Sequence, residues 1–116
     1  MYLGLDIGTS SVKAVLVDDA DTVVAVAERG LTVERPHFGW SEQDPESWTA
    51  AVIAAVDELA VRRPDALAAV VGIGLSGQMH GAVFLDAADR VLRPAILWND
   101  GRSEEHTSEL QSQFRI

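Results

Sequence analysis

The sequence contains no cysteine, which excludes disulfide bonds and thiolate metal sites. It also lacks an uninterrupted run of about 18 apolar residues, the length that a membrane-spanning helix needs. No basic segment followed by an apolar block precedes the first predicted strand, so we expect no signal peptide. Together these absences favour a cytoplasmic protein without a membrane span.

Basic residues are scarce, with 9 Lys and Arg against 18 Asp and Glu and a formal net charge of -9. This balance argues against nucleic acid and anionic membrane surfaces as partners. Any anionic ligand must therefore be held by local hydrogen-bond donors and a metal ion. The 116 residues are 47% hydrophobic, which predicts a packed core in one small domain or in part of a larger one.

The first informative stretch is an apolar run that carries one acid, Asp6, and ends at Gly8 in a cluster of hydroxyl side chains. A second apolar run over residues 12–17 follows at once, so we predict two strands joined by a tight turn. A carboxylate beside N–H and O–H donors suits a hydrated divalent cation that carries phosphates. The alternative is a plain hairpin in which Asp6 is paired structurally.

The remaining pattern predicts the opening of an α/β, ribonuclease-H-like domain. Residues 2–7, 11–18 and 22–30 read as an antiparallel meander, and residues 31–43 as a loop. Asp44, Pro45 and Glu46 are typical of a helix start, and Arg62 and Arg63 before Pro64 indicate its end after about 18 residues. The helix then leads to a predicted central strand, residues 66–75, parallel to the first. Two shorter strands, residues 82–85 and 91–97, flank a turn at 86–89.

Two further segments predict a sugar site. Parallel strands end at the same edge of a sheet, so Asp6 and the segment Ser-Gly-Gln-Met-His-Gly from Ser76 should meet there. Its residues Gln78, Met79 and His80 offer a polyol a donor, an apolar wall and a ring nitrogen; a solvated turn histidine is the alternative. Near the other end of the sequence, the Trp98 ring can stack on sugar C–H groups while Asn99 and Asp100 bind hydroxyls, although Trp98 could equally be a core residue.

Four motifs together carry a family resemblance. They are Leu-Asp-Ile-Gly-Thr-Ser from Leu5, Trp-Ser-Glu-Gln-Asp-Pro from Trp40, Gly-Gln-Met-His-Gly from Gly77 and Pro-Ala-Ile-Leu-Trp-Asn-Asp-Gly from Pro94. The set resembles the beginning of the FGGY carbohydrate kinases within the actin-like ATPase superfamily, and among them the kinases of xylulose. The likeness covers residues 1–102, and Gln-Met-His is its most discriminating piece.

The resemblance implies an ATP-dependent, Mg²⁺-dependent kinase that converts D-xylulose to D-xylulose 5-phosphate and could form a homodimer at full length. Asp6 would position the metal and phosphates, holding Mg²⁺ through water. The residues that would line the ATP phosphates are Gly8, Thr9, Ser10, Ser11 and Lys13. The residues that would contact the sugar are Gln78, Met79, His80, Trp98, Asn99 and Asp100. The alternatives are another FGGY kinase, acting on glycerol, ribulose or gluconate, and a non-catalytic actin-like nucleotide-binding protein.

The resemblance also implies what this sequence lacks. The catalytic base of the family is an Asp beyond residue 116, and most of the second nucleotide-binding domain is missing as well. General-base catalysis is worth about 10²- to 10⁴-fold in rate, so we expect the chain alone to be inactive. We interpret residues 1–102 as a partial N-terminal FGGY domain. Residues 103–116 resemble the translation of a sequencing-library adapter and are expected to be non-native.

Overall fold

The structure, a computed structural model, describes residues 1–102. The segment interpreted as adapter-derived, residues 103–116, lies outside the described residues. The elements in chain order are β1 (Tyr2–Ile7), β2 (Ser11–Val17), β3 (Val23–Gly30), β4 (Glu42–Gln43), α1 (Pro45–Arg62), α2 (Pro64–Ala68), β5 (Gly72–Gly77) and β6 (Ala95–Ile96). None of the described helices is both long and apolar enough to cross a membrane. The described residues form two compact units, residues 1–32 with 46–78 and residues 33–45 with 79–102.

The first unit is built on the predicted meander, which the structure confirms. Strand β2 pairs antiparallel with both β1 and β3, and alternate residues of β2, namely Val12, Ala14 and Leu16, are buried. The β2–β3 turn is held by Asp18, whose Oδ1 accepts the N–H groups of Ala20 and Thr22 at 2.9 Å each. Side-chain to backbone bonds of this kind are the reason that Asp favours turns.

Helix α1 covers one face of this sheet, and its predicted bounds are confirmed. It begins at Pro45, with Glu46 in the first turn and Arg62 in the last, as the helix dipole favours. Ala55 and Leu59 join sheet residues in one buried cluster that forms the core of the first unit.

The prediction of one continuous strand over residues 66–75 was wrong in its first half. Residues 64–68 form the short helix α2, because Pro64 occupies a first-turn position, where a missing N–H costs nothing, and so begins a helix as well as ending α1. A short apolar run does not distinguish a strand from a buried helix, and Ala66 is buried.

The strand that remains, β5, lies parallel to β1, as predicted for the crossover through α1. The order β3-β2-β1-β5 places β5 at the edge of the described sheet, however, and not at its centre. Ile73 and Leu75 are exposed there by 63% and 73%, so these two apolar side chains of β5 are left uncovered by the rest of residues 1–102.

The second unit has less regular structure than the sequence predicted. Strand β4 pairs antiparallel with β6, so the predicted loop over residues 31–43 ends in a strand. The predicted strands over residues 82–85 and 91–97 are reduced to β6 and two isolated bridges, Ala82 with Ile96 and Leu85 with Val91. Pro94 has no N–H for a ladder, which explains why regular pairing starts only after it. The turn at Asp86 is confirmed, since its Oδ1 accepts the N–H groups of Ala88 and Arg90.

Truncation of Leu59 should destabilise the first unit. Its side chain is fully buried in the core, and Leu→Ala changes at such sites cost about 2–5 kcal/mol because they lose contacts and leave a cavity. Val61 lies on the same helix but is 84% exposed, so Val61→Ala is the matched control and should change stability by less than about 0.5 kcal/mol. Urea unfolding followed by circular dichroism measures both, and equal effects of the two changes would contradict the assigned core.

Candidate functional site

The loop between β1 and β2 is a tight turn that depends on glycine. The Gly8 N–H donates to the Ser11 carbonyl at 2.9 Å, and a Cβ at position 8 would lie only 3.1 Å from that same oxygen. The Ser10 carbonyl accepts the N–H of Leu31 at 2.8 Å, which ties the loop to the end of β3. The turn thus presents the hydroxyl-bearing residues Thr9, Ser10 and Ser11 from a fixed backbone.

The parallel pairing of β1 and β5 places Asp6 beside the segment that follows β5. Asp6 and Ser76 are register partners, and the Ser76 hydroxyl donates to Asp6 Oδ1 at 2.9 Å. The Thr9 hydroxyl donates to Gln78 Oε1 at 3.0 Å, across 69 residues of sequence. The predicted meeting of the Asp6 end of β1 with the end of β5 is therefore confirmed, and Gln78, from the predicted sugar set, contacts the loop between β1 and β2.

Sequence reasoning missed Ser76 as the partner of Asp6. The two residues are brought together by register alone, because equal numbers of residues separate them from the start of the paired strands. Aligning residues 2–7 with residues 72–77 as parallel neighbours would have found the pair, but the predicted strand began six residues too early, at residue 66.

A shallow depression lies next to Asp6 on the sheet. Gly4 and Gly74 face each other in register and leave a strip without side chains, which Asp6, Lys13 and Ser76 border. Asp6 and Lys13 are themselves register partners on neighbouring strands, and both are exposed. The strip leaves space for a ligand, and the opposite charges of Asp6 and Lys13 at its rim suit a ligand that carries both a cation and an anionic group.

The donor set around Asp6 fits Mg²⁺ but not a tightly bound structural metal. Within residues 1–102 no three His, Cys, Asp or Glu side chains are grouped to hold a metal ion. Mg²⁺ commonly keeps several waters and takes one or two carboxylates together with the phosphates of its substrate. A single exposed carboxylate beside a hydroxyl, as at Asp6, is compatible with that mode of binding.

Met79 and His80 belong to the second unit, where both side chains are exposed. His80 has a φ of 58°, in the left-handed region that His tolerates better than most residues. The Met79 residue is 72% exposed, whereas Met is usually among the buried residue types. Exposure leaves both side chains available to a ligand, and their contact with a sugar stays a prediction.

Trp98 and Asp100 differ sharply in environment. Trp98 is 51% exposed, which argues against the core role that the sequence left open. Asp100 is fully buried, and its carboxylate accepts hydrogen bonds from the Arg102 guanidinium at 2.8 and 3.0 Å and from the Ser41 N–H at 2.6 Å. Asp100 therefore joins residues 41 and 102 within the second unit, whereas its predicted contact with sugar hydroxyls stays a prediction.

The Arg102 hydrogen bonds, together with those from backbone N–H groups, lower the pKa of Asp100 to about 2, although burial alone would raise it. The sequence did not reveal this pair, because Arg102 lay at the limit of the family resemblance. An Asp-x-Arg spacing after an apolar run was the one available signal.

The lowered pKa predicts a pH-dependent stability. A carboxyl whose pKa falls from 3.8 to about 2 on folding stabilises the fold above the higher value, and the contribution is lost as pH falls through the lower one. That contribution is on the order of 2 kcal/mol. The free energy of unfolding of Asp100→Asn should thus be lower than that of the parent at pH 7, and the gap should narrow between about pH 4 and 2. Urea unfolding across this range measures it, and a gap that stays constant would contradict the assignment.

Comparison with known proteins places the chain in a family. Residues 1–116 match the N-terminal domain of the FGGY family of carbohydrate kinases. Xylulose kinases of Klebsiella pneumoniae and Escherichia coli (strain K12) are 51% and 50% identical over 113 residues, 97% of this chain. The crystal structure of a "xyloylose kinase" from Brucella ovis superposes with a TM-score of 0.88 at 56% identity, covering 97% of this chain and 24% of that one.

The chain spans 23% of the length of the two curated relatives. Its mixed sheet with a helical crossover agrees with the actin-like fold of these structural neighbours. The match to the family's N-terminal domain extends over the whole chain. The chain therefore belongs to the FGGY family of carbohydrate kinases.

Proposed function

We propose that this chain is the N-terminal part of an ATP-dependent kinase that phosphorylates D-xylulose to D-xylulose 5-phosphate. The observation that carries the proposal is the corner where Ser76 donates to Asp6 and Thr9 donates to Gln78. These bonds join the phosphate-type loop to the segment of the predicted sugar motif. The names of the relatives at about half identity, xylulose kinases, support the choice of sugar.

On the phosphate side, Asp6 would hold Mg²⁺ through water. The ion supplies charge neutralisation for the phosphates of ATP when it is bound. The hydroxyls of Ser10 and Ser11 would donate to phosphate oxygens, while Gly8 and Thr9 shape the loop, whose backbone is fixed before any ligand arrives. Lys13 adds a positive charge beside Asp6 that the acidic chain as a whole does not provide.

On the sugar side, the residues proposed to contact D-xylulose are Gln78, Met79, His80, Trp98 and Asn99. The exposed Trp98 ring would stack on the C–H face of the sugar, and the exposed His80 ring would hydrogen-bond a hydroxyl. For Asp100, which is buried and paired, the proposed contribution is to the shape of the site.

The chain by itself is proposed to be inactive. It spans 23% of the relatives, and the resemblance assigns the catalytic base and most of the nucleotide-binding second domain to the missing part. We also propose a cytoplasmic location, and that residues 103–116 are adapter read-through, which sequencing of the source DNA across the Arg102 codon tests.

The substrate is tested with the complete open reading frame from the same source, continued past the Arg102 codon. We expect ADP release to depend on D-xylulose, with much lower rates on glycerol, ribulose or gluconate. Gluconate is the main alternative substrate to test, because a gluconokinase of Bacillus subtilis is 33% identical over 97% of this chain. ATP turnover that no sugar changes would instead indicate a non-catalytic actin-like protein.

The role of Asp6 is tested in the same full-length protein. Because a carboxylate that holds a metal through water acts as an outer-shell ligand, Asp6→Asn should lower activity by about 10- to 100-fold and raise the Mg²⁺ concentration needed for half-maximal rate. Asp57→Asn makes the same chemical change on the exposed surface of α1 and should leave both quantities unchanged. Equal behaviour of the two variants would remove Asp6 from the metal site.

A further inference from the structure

The segment that carries Trp98 is fixed on both sides by residues 39–42, which lead from a turn into β4. Before Trp98, the Leu97 N–H donates to the Ser41 carbonyl at 3.0 Å. After it, Asp100 accepts the Ser41 N–H at 2.6 Å, and the Gly101 N–H donates to the Gly39 carbonyl at 2.6 Å. Only two residues, 98 and 99, lie between these attachments, so their backbone has little freedom.

The Arg102 side chain adds contacts between the same two segments. Its guanidinium forms a two-pronged ion pair with Asp100, lies 3.5 Å from the centroid of the Trp40 ring, and approaches Glu42 at 3.6 Å. Glu42 is 5% exposed and also pairs with Arg93. Charge-assisted bonds to a buried carboxylate are strong and directional, because the planar fork of Arg matches both oxygens.

Glycine is required where the two segments touch. A Cβ at Gly101 would lie 3.2 Å from the Gly39 carbonyl oxygen, and Gly39 itself has a φ of 80°. The two backbones can therefore approach each other closely because Gly101 carries no side chain, and Gly39 accommodates the positive φ that other residues rarely adopt.

Asn99 provides an independent sign that its conformation is imposed. Its Oδ1 is buried and accepts no hydrogen bond from the described residues. A buried acceptor without a donor costs free energy, so the side chain would not adopt this position for its own contacts. The neighbouring attachments at Leu97 and Asp100 supply the constraint.

We propose that Arg102 is a positioning residue that fixes Trp98 and Asn99 before a sugar binds. The proposal rests on the proposed function for its ligand, D-xylulose, but not for its geometry. Arg102 does not touch the sugar in this scheme. It acts through Asp100, with whose buried carboxylate it pairs, and through the Trp40 ring. A site that is ordered in advance does not lose side-chain freedom on binding, and its affinity is higher for that reason.

The first measurement uses the 116-residue chain labelled with ¹⁵N at tryptophan indoles and amides, without any sugar. The Trp98 indole is assigned by Trp98→Phe, and its order is read from the heteronuclear NOE. Arg102→Lys keeps the charge but loses the planar fork, and we expect the Trp98 indole to become mobile. Arg90→Lys, at an exposed arginine of the same unit, is the control and should leave the indole unchanged.

A structural readout in the same spectra separates positioning from folding. The Ile96 N–H donates to the Ala82 carbonyl at 3.0 Å, on the edge of β6 opposite to Glu42, and its protection from exchange should be the same in Arg102→Lys as in the parent. A Trp98 indole that stays ordered in Arg102→Lys overturns the proposal. Loss of Ile96 protection also overturns it, since Arg102 would then hold the whole unit and not the segment.

The second measurement adds D-xylulose to the full-length protein and follows binding by isothermal titration calorimetry. The parent should bind with an affinity about 10-fold higher than Arg102→Lys. Equal affinities would overturn the positioning role, even if the indole is more mobile in the variant. A full-length parent that does not bind D-xylulose would count against the proposed sugar, whereas the sugar-free measurement would still decide the role of Arg102.

Discussion

The candidate site depends on the parallel pairing of β1 with β5. Nothing else in the described chain brings Asp6 and Ser76, 70 residues apart, within 2.9 Å of each other. Register in a sheet is all-or-none, because a slip by one residue turns every side chain to the opposite face. The core packing of α1 against the other face fixes that register, so burial of Leu59 and Ala55 on one side of the sheet determines which polar groups meet on the other.

The same constraint explains how much could be predicted from the sequence. The meander, α1 and the parallel crossover have strong local signals: alternation in β2, a Pro and an acid at the helix start, and Asp-rich turns. The fold class and the meeting of Asp6 with the end of β5 followed from these signals. Residues 64–71 lacked such a signal, because Ala and Val in a short apolar run fit a helix and a strand equally well until tertiary contacts decide.

The second unit shows the opposite case, in which side-chain chemistry and not local propensity sets the structure. Its regular strands are two residues long, and two ion pairs with buried carboxylates lie within it: Glu42 with Arg93, and Asp100 with Arg102. Partners 51 residues apart, as in the first pair, leave no periodic trace in a sequence. Asp100 shows how this limits prediction. Its position in the motif suggested a ligand contact, but its carboxylate is buried and hydrogen-bonded within the chain.

Strand β5 forms an open edge of the sheet within residues 1–102. The strand is glycine-rich, carries no charge and exposes Ile73 and Leu75. Natural proteins protect such edges with lysine, proline or a covering element. Residues 72–77 contain neither lysine nor proline. An unprotected edge is a template to which another extended segment can add, from elsewhere in a longer chain or from a second molecule. In this chain of net charge -9, that capacity for pairing lies in one uncharged strand of six residues.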